Sequence, residues 1–287
     1  MLNVKRLLIN LYDLKTAKKC SASIGDVMNL RGGGNVEHNQ FLATTRYLDI
    51  KDYIENNKHS FYWQNTISRA AYGDKHREQE GNDAFTGLIE SYLEKGYDEN
   101  SFLVVDENLK LLDGNHRMGM NIYTKNHKIN VRVLKRKSKN PNNLDWYVRN
   151  KIPADFMHKV YETYRQIQEN LIESGDTFCC ILPGNKEIPE FDMMVNIKKI
   201  YEYKTPDEIC IDECKGINFE NSGKYIQFTL ENPKYEIENS VLISNRIKEI
   251  KHILEERHGK EFVSQIYFSR SCAEGMEIFD KIKVNFA

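Results

Sequence analysis

The sequence has no excess of charge of either sign. Lys and Arg number 41 and Asp and Glu number 42, which leaves a formal net charge of −1. Proteins dedicated to nucleic-acid binding normally carry a basic surplus, so the composition argues against nucleic acid as the main partner. It does not exclude a local basic patch.

Long apolar runs are also missing. No stretch approaches the ~20 apolar residues that a membrane-spanning helix needs, so no membrane partner is expected. The short apolar run near the N-terminus is followed by Lys15, Lys18 and Lys19, where a secretory signal would have small residues at a cleavage site. This run is therefore predicted to be a strand or helix of the folded chain.

Cysteine is too sparse for a disulfide scaffold, because six cysteines are spread over 287 residues. A reduced, cytoplasmic setting is expected. Cys210 and Cys214 lie four residues apart, but no second Cys or His pair stands at zinc-ligand spacing. Cys179 and Cys180 are predicted to be a buried pair in a strand, and ordinary apolar packing is expected for the cysteines.

What is present is a globular composition, with 40% hydrophobic and 29% charged residues. The length suits two modest domains, or one domain with a large appendage. We predict an α+β fold in four parts. These are an N-terminal segment with a Gly-rich loop (1–45), a central domain (46–140), a linker and helix (141–175) and a smaller mixed α/β domain (176–287).

The most informative stretch is 101–136. The apolar run Phe102–Val105, the polar turn Asp106–Asn108 and the second run Leu109–Leu112 predict a β-hairpin. Apolar residues at near-helical spacing follow, and Ile129–Leu134 then returns to strand-like alternation. The segment Asp113–Arg117 therefore falls where a strand turns into a helix.

The residue types of this turn predict a phosphate-binding site. Asp113 can cap the helix, and Gly114 permits an unusual backbone angle. The start of a helix presents free N–H groups and the positive end of the helix dipole, which suits an anion. His116 and Arg117 add donors, and an arginine can grip a phosphate through two of them.

The pattern of strand, Asp-Gly-x-His-Arg, helix and strand resembles the ParB/sulfiredoxin superfamily, which includes partition proteins, sulfiredoxins and free serine kinases. The resemblance implies that the turn, including Gly114, Asn115, His116 and Arg117, holds nucleotide phosphates. It extends over residues 46–136 at most, and only the turn is specific.

Two upstream segments share the resemblance. Leu88–Gly96 is similar to a short helix that lends a hydroxyl to the nucleotide site, which implies that role for Ser91, with Thr86 as a neighbouring candidate. Arg46–Ile50 is similar to the first strand of the superfamily.

The variable residue of the turn separates the subgroups. Sulfiredoxin chemistry needs a nucleophilic cysteine directly before the His-Arg pair, and this chain has Asn115 there. The turn also differs from the Gly-Glu-Arg-Arg type of partition proteins. It is most similar to the free serine kinases, which implies that Asp113 assists phosphoryl transfer and that a separate glutamate activates the acceptor hydroxyl.

Two further regions are candidate walls of the site. Asn29–Asn35 contains three consecutive glycines with Arg31, which can add a phosphate donor, but it matches neither the P-loop nor the dinucleotide-binding motif. The alternative for this loop is a flexible connection without a ligand. Glu78 and Glu80 are candidate general bases if their surroundings tune their pKa values, and the alternative for them is a solvated charged face.

The C-terminal half has no recognised motif. Pro153 and the apolar residues that follow at helical spacing predict a helix that ends near Gly175. Strands are predicted at 177–182, 193–203, 225–230 and 266–268, and a second amphipathic helix is predicted at 240–257.

These observations favour a nucleotide-dependent phosphotransferase that acts on a small hydroxyl-bearing metabolite. ATP or another nucleoside di- or triphosphate would be the cofactor, with Mg²⁺ held by Asp113. The alternatives are a nucleotide hydrolase or nucleotide-switched binding protein, a ParB-like DNA-binding or nuclease protein, and a turn that only stabilises a strand–helix junction. A homo-oligomer is compatible with the sequence.

Overall fold

The computed structural model describes residues 16–28, 38–73, 78–135, 144–204, 222–230, 233–283 and 286. These residues form a mixed α/β structure, in agreement with the predicted class. The helices are α1 (Ile24–Met28), α2 (His38–Asn56), α3 (Tyr62–Tyr72), α4 (Glu78–Lys95), α5 (Asn115–Tyr123), α6 (Leu144–Arg149), α7 (Ala154–Glu173), α8 (Phe191–Met194), α9 (Asn245–His258), α10 (Lys260–Ser264) and α11 (Cys272–Ile282). The strands are β1 (Lys18–Ser23), β2 (Leu103–Asp106), β3 (Leu111–Asp113), β4 (Lys128–Leu134), β5 (Phe178–Pro183), β6 (Asn196–Lys204), β7 (Ser222–Thr229), β8 (Tyr235–Glu238), β9 (Val241–Ser244) and β10 (Tyr267–Phe268).

The chain divides into two compact units that alternate along the sequence. Unit 1 comprises Met1–Cys20 and Asn35–Glu169, and unit 2 comprises Ser21–Gly34 and Asn170–Ala287. Each unit therefore draws on two separate stretches of the sequence.

Strands β2, β3 and β4 of unit 1 belong to a four-stranded sheet in the order β1-β4-β2-β3. β2 and β3 form the predicted antiparallel hairpin, and β4 returns parallel to β2 after α5. The parallel pairing requires a crossover between the strands, and α5 lies within that crossover. The start of α5 consequently follows the end of the edge strand β3.

The core of unit 1 is rich in aromatic side chains. One cluster gathers around Phe41, Tyr147 and Phe156, and a second around Phe61 and Phe85. Helices α2 and α5 approach closely at Gly119, where an added Cβ would lie 2.9 Å from the Cβ of Arg46. The absence of a side chain at Gly119 thus permits this helix crossing.

The expected first strand at Arg46–Ile50 is wrong, because these residues lie inside the 19-residue helix α2. Thr44, Thr45 and Ile50 favour an extended chain locally. All three are buried in the helix, so tertiary packing overrides that local preference. The strand at the start of the described chain is β1.

Unit 2 contains an antiparallel sheet in the order β10-β5-β7-β6 and a separate hairpin of β8 and β9. Helix α11 packs on β5 so closely that a Cβ at Gly275 would lie 2.0 Å from the backbone oxygen of Thr177. The core beside it includes Tyr225, Ile278 and Phe279.

A buried carboxylate organises the start of α11. Asp26 Oδ1 accepts a hydrogen bond from Cys272 N at 2.7 Å, and Asp26 Oδ2 accepts one from Ala273 N at 3.0 Å. The same oxygen accepts from Ser23 N at 3.1 Å. Asp26 thereby pairs the first amides of α11, which would otherwise lack partners within the helix. Burial, and to a lesser extent repulsion from Asp176, raises the pKa of Asp26 to about 6.

The C-terminal predictions are partly confirmed. The helix after Pro153 is α7, and the pair Cys179 and Cys180 is buried in β5. The strand predicted at 193–203 begins as the short helix α8, and the helix predicted at 240–257 begins later, because β9 occupies Val241–Ser244. Cys210, Cys214 and most of the linker before α6 lie outside the described residues.

In the part of the chain that the structure describes, no helix is both long and apolar enough to cross a lipid bilayer.

Candidate functional site: the turn between β3 and α5

The turn from β3 into α5 depends on the backbone of Gly114. This residue has φ 103° and ψ 25°, a left-handed conformation that glycine adopts at little cost. A Cβ at this position would lie 2.6 Å from Leu103 Cδ2. Both observations explain why the chain uses glycine here, as the sequence predicted.

The prediction that Asp113 caps helix α5 is wrong. Gly114 is the N-cap residue, and no side chain caps the helix start. Asp113 Oδ1 accepts a hydrogen bond from Gly114 N at 2.8 Å, one residue before α5 begins. The left-handed glycine separates the carboxylate from the helical amides, so Asp113 remains exposed, with 77% of its side chain accessible.

Arg117 joins the turn to the hairpin. Its Nη1 donates to Ser101 Oγ at 3.1 Å and to the backbone oxygen of Phe102 at 2.7 Å. Its Nη2 lies 4.0 Å from Asp113 Oδ2. One side of the guanidinium is therefore used inside the protein, and the other faces the exposed carboxylate.

His116 belongs to a chain of side-chain hydrogen bonds that the sequence did not reveal. Its Nε2 lies 2.8 Å from Gln64 Oε1, and Gln64 Nε2 donates to Asn82 Oδ1 at 3.1 Å. The His116 ring also packs against Phe85, with ring centroids 4.4 Å apart. With Gln64 Oε1 as the acceptor, His116 carries its proton on Nε2 and presents Nδ1 as an acceptor.

The His116 imidazole is neutral at physiological pH. Burial, together with the positive charges of Arg46 and Arg117, lowers its pKa to about 3. His116 therefore acts in the site as a neutral group rather than as the charged phosphate donor that an imidazolium would be.

This lowered pKa predicts a pH dependence of stability. The folded pKa of about 3 lies below the unfolded value of about 6.5. As the pH falls from about 6.5 towards 3, the His116 imidazole therefore takes up a proton in the unfolded chain but stays neutral in the folded chain. His116 should reduce the free energy of unfolding by up to about 1.4 kcal/mol per pH unit over this range.

The measurement is urea unfolding between pH 7 and pH 4, followed by tryptophan fluorescence, because Trp63 and Trp146 both lie in unit 1. The stability advantage of the wild type over His116→Gln should shrink as the pH falls. His158→Gln is the control, because His158 is exposed on α7. A parallel pH dependence in wild type and His116→Gln would contradict the prediction.

The candidate bases lie at the start of α4. Glu78 forms a two-point ion pair with Arg69, in which Arg69 Nη2 lies 2.8 Å from Glu78 Oε2. Glu78 stands one helical turn before Asn82, which the hydrogen bonds of Gln64 connect to His116. Glu80 is exposed on the same helix. The structure thus connects the start of α4 to the turn through Gln64.

The remaining predicted residues are less closely connected to the turn. Ser91 is exposed on α4, Thr86 is half-buried, and the buried face of this helix is formed by Phe85, Ile89 and Tyr92. The helix expected at Leu88–Gly96 is the second half of α4. Arg31 and the Gly-rich loop lie outside the described residues.

Two charged residues of α2 also belong to the surroundings of the turn. Asp49 accepts from Trp63 N at 2.9 Å and from Gln64 N at 2.7 Å, and so holds the start of α3. Burial raises its pKa to about 7. Arg46 is buried against α5, and burial lowers its pKa to about 10. The separation of Arg46 and Asp49 by three positions in the sequence was the indication that both belong to one helix.

The arrangement can hold an anion and a hydrogen-bond donor side by side. The N–H groups at the start of α5 and the Arg117 guanidinium favour negative charge. Asn115 Oδ1 is buried and has no hydrogen-bond partner, so it can accept from a ligand hydroxyl. Among the described residues, no group of three or more His, Cys, Asp and Glu side chains could hold a metal ion.

Comparison of the chain with protein-family models, with curated proteins and with solved structures gives no match.

Proposed function

We propose that unit 1 is a nucleotide-dependent phosphotransferase that acts on a small hydroxyl-bearing metabolite. The observation that carries the proposal is the turn itself. A left-handed glycine leads into a helix start beside the Arg117 guanidinium, whose Nη2 lies 4.0 Å from the exposed Asp113 carboxylate. Phosphoryl transfer needs a positive site that holds phosphate, and an exposed carboxylate beside it can orient the metal or the acceptor.

The nucleotide phosphates would bind to the backbone N–H groups of Asn115 and His116 and to Arg117. ATP or another nucleoside di- or triphosphate fits this role. The same turn carries the resemblance to the ParB/sulfiredoxin superfamily, and we propose that unit 1 has that architecture. The motif is most similar to the free serine kinases.

A magnesium ion fits this site only in complex with the nucleotide. Asp113 offers one exposed carboxylate, and Mg²⁺ in nucleotide sites is commonly bound by one or two carboxylates together with phosphate oxygens and water. The ion would neutralise charge on the transferring phosphoryl group. Asp113 would hold or orient the complex from the protein side.

The acceptor hydroxyl would bind beside the phosphates. Asn115 Oδ1 is a buried acceptor without a protein partner, and a ligand hydroxyl would satisfy it. Glu78 or Glu80 would then accept the hydroxyl proton. Glu78 lies one helical turn before Asn82, which Gln64 connects to His116.

The second candidate is a nucleotide hydrolase or a nucleotide-switched binding protein. It is favoured by the pairing of Glu78 with Arg69, because a carboxylate held in an ion pair is a weaker proton acceptor. In this alternative, the turn binds the nucleotide in the same way, and no metabolite is phosphorylated.

The test separates binding from transfer with Asp113→Asn. We expect a nucleotide with Mg²⁺ to raise the thermal midpoint of the wild type, since a ligand that binds only the folded state stabilises it. Asp113→Asn should retain most of this affinity and lose turnover by about 100-fold or more. Turnover is measured as phosphorylation of a panel of hydroxyl compounds, with phosphate release as the parallel readout.

Phosphate release without any phosphorylated acceptor would favour the hydrolase. An Asp113→Asn variant with wild-type turnover would remove Asp113 from the mechanism. Asp98→Asn is the matched control, because Asp98 is an exposed carboxylate of unit 1 outside the turn, and it should behave as the wild type.

A further inference from the structure

Arg46 is a buried positive charge that forms no ion pair with a described carboxylate, although the charge of Asp49 acts on it. Only 9% of the residue is exposed, and its Nη1 donates to the neutral hydroxyl of Thr45 at 2.9 Å. Its Nε is buried and has no hydrogen-bond partner. No carboxylate of the described chain lies within ion-pairing distance of Arg46. Burying an unpaired charge is costly.

The nearest candidate counter-ion is a poor one. Asp49 lies one turn further along α2, but its two carboxylate oxygens accept from the backbone amides of Trp63 and Gln64. Burial raises the pKa of Asp49 against the opposing effects of these two hydrogen bonds and of the Arg46 charge. Arg46 itself remains protonated, since its pKa is about 10.

Arg46 lies next to the proposed phosphate site. Its Cβ would be 2.9 Å from a Cβ added at Gly119, which belongs to the first turns of α5. Its charge acts on His116, the second residue of the same helix, together with the charge of Arg117. The positive end of α5 therefore has a second guanidinium nearby, one that forms no ion pair among the described residues.

We propose that Arg46 is a second phosphate-binding residue of this site, and that a phosphate group of the ligand supplies its missing counter-ion. The inference rests on the proposed function and deepens it, because it specifies a ligand with at least two negative charges near α5. A nucleoside di- or triphosphate or a pyrophosphate meets this requirement, and a singly charged anion does not.

Arg46 could bind the ligand or only support the fold. These two roles predict opposite effects of Arg46→Met on the midpoint of urea unfolding without ligand. Methionine has a similar length and carries no charge. If Arg46 binds the ligand, Arg46→Met relieves an unpaired buried charge, so the midpoint of urea unfolding without ligand stays equal or rises. If Arg46 only supports the fold, this midpoint falls and the affinity for anions is unchanged.

The experiment measures both quantities. Titration calorimetry gives the Kd for ATP, ADP, pyrophosphate and inorganic phosphate, and tryptophan fluorescence gives the unfolding midpoint. We expect Arg46→Met to weaken nucleotide and pyrophosphate binding about 10- to 100-fold. Arg165→Met is the control for loss of a positive charge, because Arg165 is exposed on α7, and it should bind as the wild type.

The outcomes separate the two proposals. Nucleotide binding of equal strength in wild type and Arg46→Met would overturn the role of Arg46 and leave the proposed function standing. Pyrophosphate binding that depends on Arg46, without nucleotide binding, would retain Arg46 and overturn the proposed function. A wild type that binds none of these anions would overturn both.

A second variant covers the case in which Arg46→Met does not fold. Arg46→Lys keeps the charge but lacks the planar guanidinium that grips a phosphate at two points. We expect it to fold and to bind pyrophosphate about 10-fold more weakly than the wild type. Wild-type affinity in Arg46→Lys, combined with an Arg46→Met variant that cannot fold, would assign Arg46 to the fold.

Discussion

Arg117→Ala should strongly reduce the rise in thermal midpoint that a nucleotide with Mg²⁺ produces in the wild type. Arg117 is the positively charged side chain of the turn that we propose binds the nucleotide phosphates. Hydrogen bonds to charged groups contribute about 1.5–3 kcal/mol each. Affinity should therefore fall about 10- to 100-fold. The variant should also lose about 1–3 kcal/mol of stability without ligand, because Nη1 joins α5 to Ser101 and Phe102. Both effects are read from nucleotide titrations of the unfolding midpoint.

Ser101→Ala separates these two contributions. It removes one acceptor of Arg117 Nη1 but leaves the guanidinium in place. We expect a small loss of stability and an undiminished nucleotide response. If Arg117→Ala still responded to the nucleotide as the wild type does, the turn would serve only to stabilise the strand–helix junction.

Asp26→Ala should destabilise unit 2 by about 3–5 kcal/mol. The substitution leaves the amides of Cys272 and Ala273 at the start of α11 without their acceptors and removes the partner of Ser23. A loss of this size is a large part of the 5–15 kcal/mol that typically stabilises a domain. Urea unfolding followed by far-ultraviolet circular dichroism measures it, because both tryptophans lie in unit 1.

Hydrogen exchange locates this effect. The amides of Cys272 and Ala273 should lose protection in Asp26→Ala, while those of β2 and β4 serve as an internal reference in unit 1. Asp280→Ala is the matched control, because Asp280 is an exposed carboxylate of the same helix. It should change stability by less than about 0.5 kcal/mol. Wild-type protection at Cys272 in Asp26→Ala would show that Asp26 is not needed to hold α11.

The local architecture of the turn could be predicted from the sequence because its signals are short-range. The polar turn Asp106–Asn108 between two apolar runs specifies the hairpin. Gly114 marks the change of backbone direction. The structure has the hairpin, the left-handed glycine and the helix where these signals indicate them. Its ligand is a proposal that the experiments above test.

The surroundings of the turn could not be predicted because they depend on packing between distant segments. Gln64 reaches His116 across 52 positions of the sequence, and nothing near Gln64 indicates that partner. Arg46 lies in a segment whose β-branched neighbours favour a strand, yet the segment is part of helix α2, which packs against α5 at Gly119. The capping prediction for Asp113 failed because the conformation of Gly114 displaces the carboxylate by one residue.

The alternation of the two units has a consequence for synthesis on the ribosome. Asp26 is made early, but its partner amide at Cys272 follows 246 residues later. Translation typically adds about 5–20 residues per second, so about 10–50 seconds pass between the synthesis of Asp26 and that of the start of α11. Gly25 is likewise synthesised 151 residues before Asp176, whose carboxylate accepts its backbone N–H. Unit 2 can complete its folding only after α11 has been made, whereas the described part of unit 1 has by then been synthesised in full. The order of translation thus gives unit 1 the opportunity to fold first, while the first segment of unit 2 remains without its partners.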